Sequence, residues 1–500
     1  MIDLKVRRTA GAGSAVLVGG IALNAVLNYG FGVTLAWMLP QDAFGAVSVL
    51  LSVLLLAATV LAAGLPWALA RTMARAEDGG AAARADADSA FRAALVGNLG
   101  LGAVFAAGLV VIQLSTDWVL PGRGPWLAAL MAAAVVLISV YSVLWGALHG
   151  TRCFDAIGVA QLAETLTKVA GGLVLVGLCG FGVPGVATAL LASIAVAVWL
   201  CRRALGDRLP GRGPVAGARA FAAAAPMAVG TIGFGLLTTL DILVLNALGA
   251  GDGFVAVAVY QAAAVLARAP VLLSSALAEA MFPFIARGRS RAEAHRWFRA
   301  GFRWVPLAFV PMQLVLLITP GSVVGLLFPA SYLAAADLAR AITVGTTGLI
   351  VADMLLKALL ARGLATAVAA RVPFAVAVEL GTLAALAPRY GGLGAATAFA
   401  AGTWAAAALL AGAYLRQYWP GWVRMRTVAG WSLATGALAL VLAAAALVPR
   451  PVDLLLIAVG LAGYAALVVA LRLVPPADVA ALRARLRLPG APSPAGRRRA

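Results

Sequence analysis

Charge is what this sequence has least of. Asp, Glu, Lys and Arg make up 11% of its 500 residues, against 63% hydrophobic. A soluble domain carries roughly a quarter charged, so this composition excludes a water-facing globular fold. Histidine is almost missing: His149 and His295 are the two in the chain, both in predicted loops and too few for a histidine-based metal site. The three cysteines, Cys153, Cys179 and Cys201, lack C-x-x-C or metal spacing and read as small apolar residues or neutral thiols. No Walker A sequence is present, so no ATP-hydrolysing P-loop site is expected within this chain. GFGVPG at 180–185 fits G-x-G-x-x-G, but no strand precedes it, and it reads as turn glycine and proline. Loops large enough to carry acidic or histidine catalytic groups are missing as well. A non-enzyme with no cofactor is expected.

Long apolar runs are what is there. Fourteen are expected to be membrane spans: approximately 13–39, 43–69, 91–114, 125–148, 157–180, 183–203, 219–248, 254–282, 304–328, 335–361, 365–388, 391–415, 428–448 and 452–473. Each is long enough to cross a hydrocarbon core of about 30 Å as a helix, and backbone groups in lipid must be satisfied internally. The dyad alternation of barrel strands is not seen. The first run has no small-residue cleavage site before a soluble domain and is expected to stay as a membrane helix.

The net charge of +19 raises the question of nucleic acid. The positions of the charges exclude it, because nearly all sit in short gaps between apolar runs. With the N-terminus placed in the cytoplasm, 31 of the 38 Lys and Arg fall in inside segments. Three, Arg123, Arg389 and Arg450, fall outside, and Lys168, Arg268, Arg340 and Lys357 lie within spans. That bias follows the positive-inside rule. It gives a multi-pass protein of the cytoplasmic membrane with both termini inside. The basic segment 286–303, with Trp297 and Phe298, and the arginine-rich tail read as surfaces against anionic lipid.

Two phrases occur twice. Asp42, Phe44, Ala46, Val47 and Val49 recur as Asp252, Phe254, Ala256, Val257 and Val259. GVPGVATAL (182–190) recurs as GGLGAATAF (391–399) at nearly the same offset. Each copy falls at an expected outside turn. Six spans separate the copies, an even number, so the repeat is parallel. The expected fold is an all-α polytopic membrane protein: six-helix bundles over 1–210 and 211–420, two more spans over 421–475, and a basic cytoplasmic tail over 476–500.

Charges within spans are costly and mark faces that avoid lipid. Arg268, mid-span in AVLARAPVLL, is a candidate for an anion-binding cavity or for an ion pair with Asp241. Glu164 with Lys168 and Asp353 with Lys357 have i,i+4 spacing, which permits structural pairs or cavity lining. Asn24, Asn28 and Tyr29 form a polar stripe on the first span, suited to ligand or to helix–helix hydrogen bonds. Glu279 and Glu379 read as acids near span ends. Arg340 reads as paired with Asp337.

PQDAFGAVSV, the Gly-Leu-Pro at 64–66 and the basic exit ARTMARA at 70–76 resemble the first helical hairpin of polysaccharide flippases. LDILVLNALGAGDGFVAVAVYQAAAVLARAP and FPFIAR (282–287) are similar to their seventh and eighth helices. The resemblance is to the Wzx-like branch of the multidrug/oligosaccharidyl-lipid/polysaccharide exporter superfamily and covers roughly 10–415. Pro40-Gln41 replaces the usual Gly-Pro, and Val47 an aromatic. The arginine-rich first helix of lipid II flippases is not matched. The resemblance implies that a lipid-linked oligosaccharide is moved from the inner to the outer leaflet. Arg268, Lys168, Lys357, Asn24 and Asn28 are the candidates for substrate binding. Asp241, Asp353 and Glu164 are the candidates to bind a coupling H⁺ or Na⁺. A cation-coupled drug antiporter and a non-transporting scaffold for polysaccharide assembly remain the alternatives.

Overall fold

The structure is a computed structural model describing residues 10–77, 80–116, 124–206, 218–248, 254–288, 290–418 and 425–473. The basic tail and Asp252 of the first repeat lie outside the described residues. Everything regular among them is helix. The first half holds α1 (Ala10–Met38), α2 (Gln41–Ala62), α3 (Leu65–Glu77), α4 (Ala81–Thr116), α5 (Pro125–Gly150), α6 (Phe154–Gly172, continued as a π-helical turn to Leu178) and α7 (Gly182–Leu205). The second half holds α8 (Ala218–Leu236), α9 (Leu240–Leu248), α10 (Phe254–Arg287), α11 (Arg291–Phe302), α12 (Trp304–Ile318), α13 (Pro320–Leu327), α14 (Ala335–Ala361), α15 (Ala365–Ala369) and α16 (Val372–Gln417). Then come α17 (Met425–Ala445) and α18 (Val452–Ala470), which pack on each other and on α12.

Eleven described helices are long and apolar enough to cross a membrane, or twelve if one bent pair counts as a span. That is fewer than the fourteen expected. Two features bear on the difference. α1 is a charge-free helix of 29 residues that is not among those counted. The stretch Ala365–Gln417 counts once but doubles back at Gly391, whose φ of 52° lies in the left-handed region. A Cβ on Gly394 would lie 2.4 Å from the Leu386 carbonyl oxygen, and one on Gly402 would lie 2.6 Å from the Glu379 Cβ. Residues 23 apart on a straight helix would be about 35 Å apart, so α16 is a hairpin of two antiparallel arms.

The recurring phrases now have physical content. Gly182, with φ 55°, turns the chain from α6 into α7 as Gly391 does in α16. Gly185 approaches the Leu175 backbone as Gly394 approaches Leu386. Left-handed turns and close backbone approach are what glycine permits. The other phrase meets its own copy: a Cβ on Gly45 would lie 1.9 Å from the Phe254 carbonyl oxygen. There α2 packs on α10, and one continuous apolar core joins Val47 and Leu50 to Val257, Tyr260 and Phe399.

Three boundaries depart from expectation. The second span ends at Ala62, because Gly64 takes φ 76° and α3 restarts at Leu65. The seventh span breaks between α8 and α9 with a bend of 51°. Thr238 and Thr239 cause it by donating their hydroxyls back to the Gly235 carbonyl, at 2.7 and 3.3 Å, which competes with the helical ladder. Both histidines lie in helices rather than loops: His149 ends α5, and His295 sits in α11. Ser290 caps α11 by accepting the Glu293 amide. Its Ala294, Phe298 and Gly301 face inward while Trp297 faces out.

Candidate functional site

The intramembrane candidates gather into three polar clusters among the described residues. The first joins α1 to α6. Asn24 and Asn28 share one face of α1, and Thr165 and Lys168 share the opposing face of α6. Lys168 donates to the Asn28 side-chain oxygen, and Thr165 donates to that of Asn24. The Asn28 amide closes the network on the Asn24 carbonyl at 2.8 Å and its side-chain oxygen at 3.0 Å. The spacing that invited a Glu164–Lys168 pair is used otherwise: Lys168 reaches across to α1, while Glu164 faces Tyr141 of α5.

The second cluster sits where α8 breaks into α9. Arg268 pairs with Asp241, which is fully buried in the first turn of α9. The break frees the Thr238 carbonyl, which accepts from Arg268 Nη1 at 2.8 Å. Asp241 also accepts from the Ile242 amide at 2.9 Å and from the Tyr260 hydroxyl at 2.5 Å. The guanidinium carbon stands 4.3 Å from the centre of the Phe399 ring, a cation–π contact. Tyr29 of α1 lies within electrostatic reach of Arg268, so this cluster faces the first half of the chain.

The third cluster lies further along α10. Lys357 meets Asp353 at 3.2 Å and Glu279 at 3.5 Å. Ser275 donates to Asp353 at 2.8 Å, and its carbonyl accepts from Lys357 at 3.3 Å. Here the i,i+4 spacing does close an ion pair. The expected Arg340–Asp337 pair also forms, at 2.7 Å.

The clusters share a pattern. Arg268 and Lys357 are in ion-pair contact with carboxylates, whereas the amine of Lys168 meets an amide oxygen and feels the Glu164 charge only from a distance. A cation held by amides keeps more attraction for an incoming anion than one already neutralised. Glu379 departs from its expected place. It lies in the first arm of α16, fully buried and backed by Gly402. The signal was present, since the nearest charges in sequence, Arg371 and Arg389, are eight and ten residues away. Tyr260, among the largest fully buried side chains, was also unforeseen, because nothing local marks its hydroxyl as the partner of Asp241.

The fold is shared with solved transporters. The lipid II flippase MurJ in an inward closed conformation matches with a TM-score of 0.63 at 12% identity, covering 88% of this chain and 98% of that one. A multidrug resistance MATE family transporter of the MOP superfamily, inward-facing, matches at 0.58 and 15% identity, covering 83% and 98%. A MOP superfamily transporter from Pyrococcus furiosus, described as having reversed binding-pocket polarity, matches at 0.57 and 17% identity, covering 84% and 95%. At these identities the likeness is one of fold: a multi-pass membrane protein with the architecture of MOP-superfamily transporters. The family model described as polysaccharide biosynthesis protein matches residues 10–289, more than half of the chain, and the chain belongs to that family. No curated protein sequence matches it.

Proposed function

We propose that this protein flips a polyprenyl-pyrophosphate-linked oligosaccharide from the inner to the outer leaflet for cell-surface polysaccharide export. Membership of the polysaccharide biosynthesis family, on a transporter fold, is the observation that carries this reading. Two bundles, 1–210 and 211–420, alternate access around the polar clusters, with both termini cytoplasmic. Leaving the headgroup in hydrocarbon would be prohibitive, and the faces of α1, α6 and α10 shield it. Lys168, with Asn24 and Asn28, is the leading anchor for the pyrophosphate. Arg268 and Lys357 serve after release from their carboxylates, Arg offering bidentate contact. Asp241, Asp353 and Glu164 are candidates for the coupling ion. An apolar groove of about 690 Å³ between α12 and α17, lined by residues such as Ile318, Leu433, Gly436 and Leu440, is a path for the lipid tail. The exposed, basic face of α11 and the arginines of the C-terminal sequence rest on anionic lipid.

The test is reconstitution of the purified full chain into liposomes carrying lipid-linked oligosaccharide, with glycosidase added outside. Progressive cleavage of the inner-leaflet pool supports flipping, and Lys168→Ala is expected to slow it at least tenfold. Protection equal to that of protein-free liposomes would contradict the reading. Efflux of a cationic dye against a proton or sodium gradient would instead favour the antiporter, and a protein inert in both assays would favour the scaffold.

A further inference from the structure

Glu379 is fully buried, and neither carboxyl oxygen meets a hydrogen-bond donor among the described residues. The α16 hairpin lays out its surroundings. Gly402 of the second arm backs onto it, with a Cβ there lying 2.8 Å from Glu379 Oε2. One turn earlier on that arm, Phe399 carries the Arg268 guanidinium on its ring. The charges acting on Glu379 are those of Asp241 on α9 and Arg268 on α10, and the Tyr260 hydroxyl of α10 belongs to the same group. Around it, α8 sets Gly233 against Val372 and Val376, α14 sets Gly345 and Gly348 against the second arm, and Thr403 donates to the Gly345 carbonyl at 2.9 Å.

An ionised carboxylate stripped of water, with nothing donating to it, is heavily disfavoured. Arg268 is already committed to Asp241, yet its Nε has no acceptor. Unused acceptors on Glu379 therefore lie within electrostatic reach of an unused donor on Arg268. We propose that Glu379 is a proton-binding site and that Arg268 is a counter-ion shared between Asp241 and Glu379. In the arrangement seen, Arg268 pairs with Asp241 and Glu379 carries the proton. In the other, Arg268 pairs with Glu379 and the proton resides on Asp241. In either proton-loaded arrangement Arg268, Asp241 and Glu379 together hold one proton and no net charge, so the exchange between the two proceeds in a low-dielectric interior without burying a free ion. The place beside Asp241 that a bound metal cation would take is filled by the guanidinium. This deepens the flippase reading by naming the coupling ion and its seat, and it rests on that reading for its use in a transport cycle.

Infrared spectroscopy of the purified full chain in liposomes at neutral pH tests it without any glycan. The wild type is expected to show a protonated-carboxyl C=O band that is lost in Glu379→Gln and kept in Asp353→Asn. Asp241→Asn is the sharper variant. It leaves Glu379 intact but frees Arg268, so Glu379 ionises and the band disappears. A band that survives either Glu379→Gln or Asp241→Asn overturns the proposal, as does a wild-type band removed by Na⁺ at constant pH. Gln has the shape of a protonated Glu and is expected to fold; if it does not, the comparison of wild type with Asp241→Asn decides alone. Failure of oligosaccharide flipping with these spectra intact would count against the transport reading and not against the proton site.

Discussion

Arg268 and Asp241 matter to each other because water hardly reaches either; their side chains are 14% and 0% exposed. Removing one partner of such a pair strands the other charge and costs about 3–5 kcal/mol. Arg268→Ala, which removes the cation from buried Asp241, is therefore expected to lower unfolding stability by that amount in detergent micelles. Asp337→Ala, at a pair with side chains 51% and 72% exposed, is expected to cost under about 1 kcal/mol. Equal losses from denaturant titration of the two variants would contradict the assignment of a buried pair. Sequence spacing revealed the intramembrane charges but could not choose among their partners. Lys168 and Lys357 each have an acid at i−4, and only Lys357 stands within ion-pair distance of it, Glu164 acting on Lys168 from further away. The choice depends on what the neighbouring helix presents: two asparagines of α1 in one case, Ser275 and Glu279 of α10 in the other.

At the scale of helices, hydropathy located the apolar runs because lipid leaves few other solutions for a backbone. It could not place the breaks, which come from local chemistry: Gly64 in a left-handed turn, and Thr238 and Thr239 bonding back to Gly235. Glycines at close contacts and left-handed turns are the most constrained positions. Gly45→Ala would drive a methyl into the Phe254 carbonyl and is expected to cost about 1–3 kcal/mol of overpacking strain. Gly391→Ala has open space but left-handed backbone, and is expected to cost about 1–2 kcal/mol. Gly412→Ala, helical and open, is expected to be neutral or slightly stabilising. Thermal unfolding of the three variants checks this order, and a neutral Gly45→Ala would show that α2 and α10 do not pack as described.

Across the whole molecule, the halves are tied at the end where the repeated phrases meet. Trp37 donates to the Leu327 carbonyl at 2.8 Å, Gln41 to that of Ser331 at 2.8 Å, and Phe44 packs edge-on to Tyr332 at 5.8 Å. In the proposed orientation this end faces outward. If the two bundles alternate access as proposed, these ties form a seal that opens once per cycle, and Gln41→Ala with Trp37→Phe is expected to make a cysteine placed at Ser48 react faster with an externally added thiol reagent. No acceleration would contradict a seal there. The repeat was legible in sequence because two phrases recur at nearly one offset, the second carrying glycines that the turns at Gly182 and Gly391 require. The direct contact between its two copies was not, since no pattern along the chain states which surfaces meet. The central claim, that this chain moves a lipid-linked oligosaccharide across the membrane, is tested most directly by mass spectrometry of lipids from cells depleted of it. The account predicts that polyprenyl-pyrophosphate oligosaccharide accumulates on the cytoplasmic leaflet, that the wild-type chain clears it, and that Lys168→Ala expressed at the same level does not. Depletion without any such accumulation would contradict it.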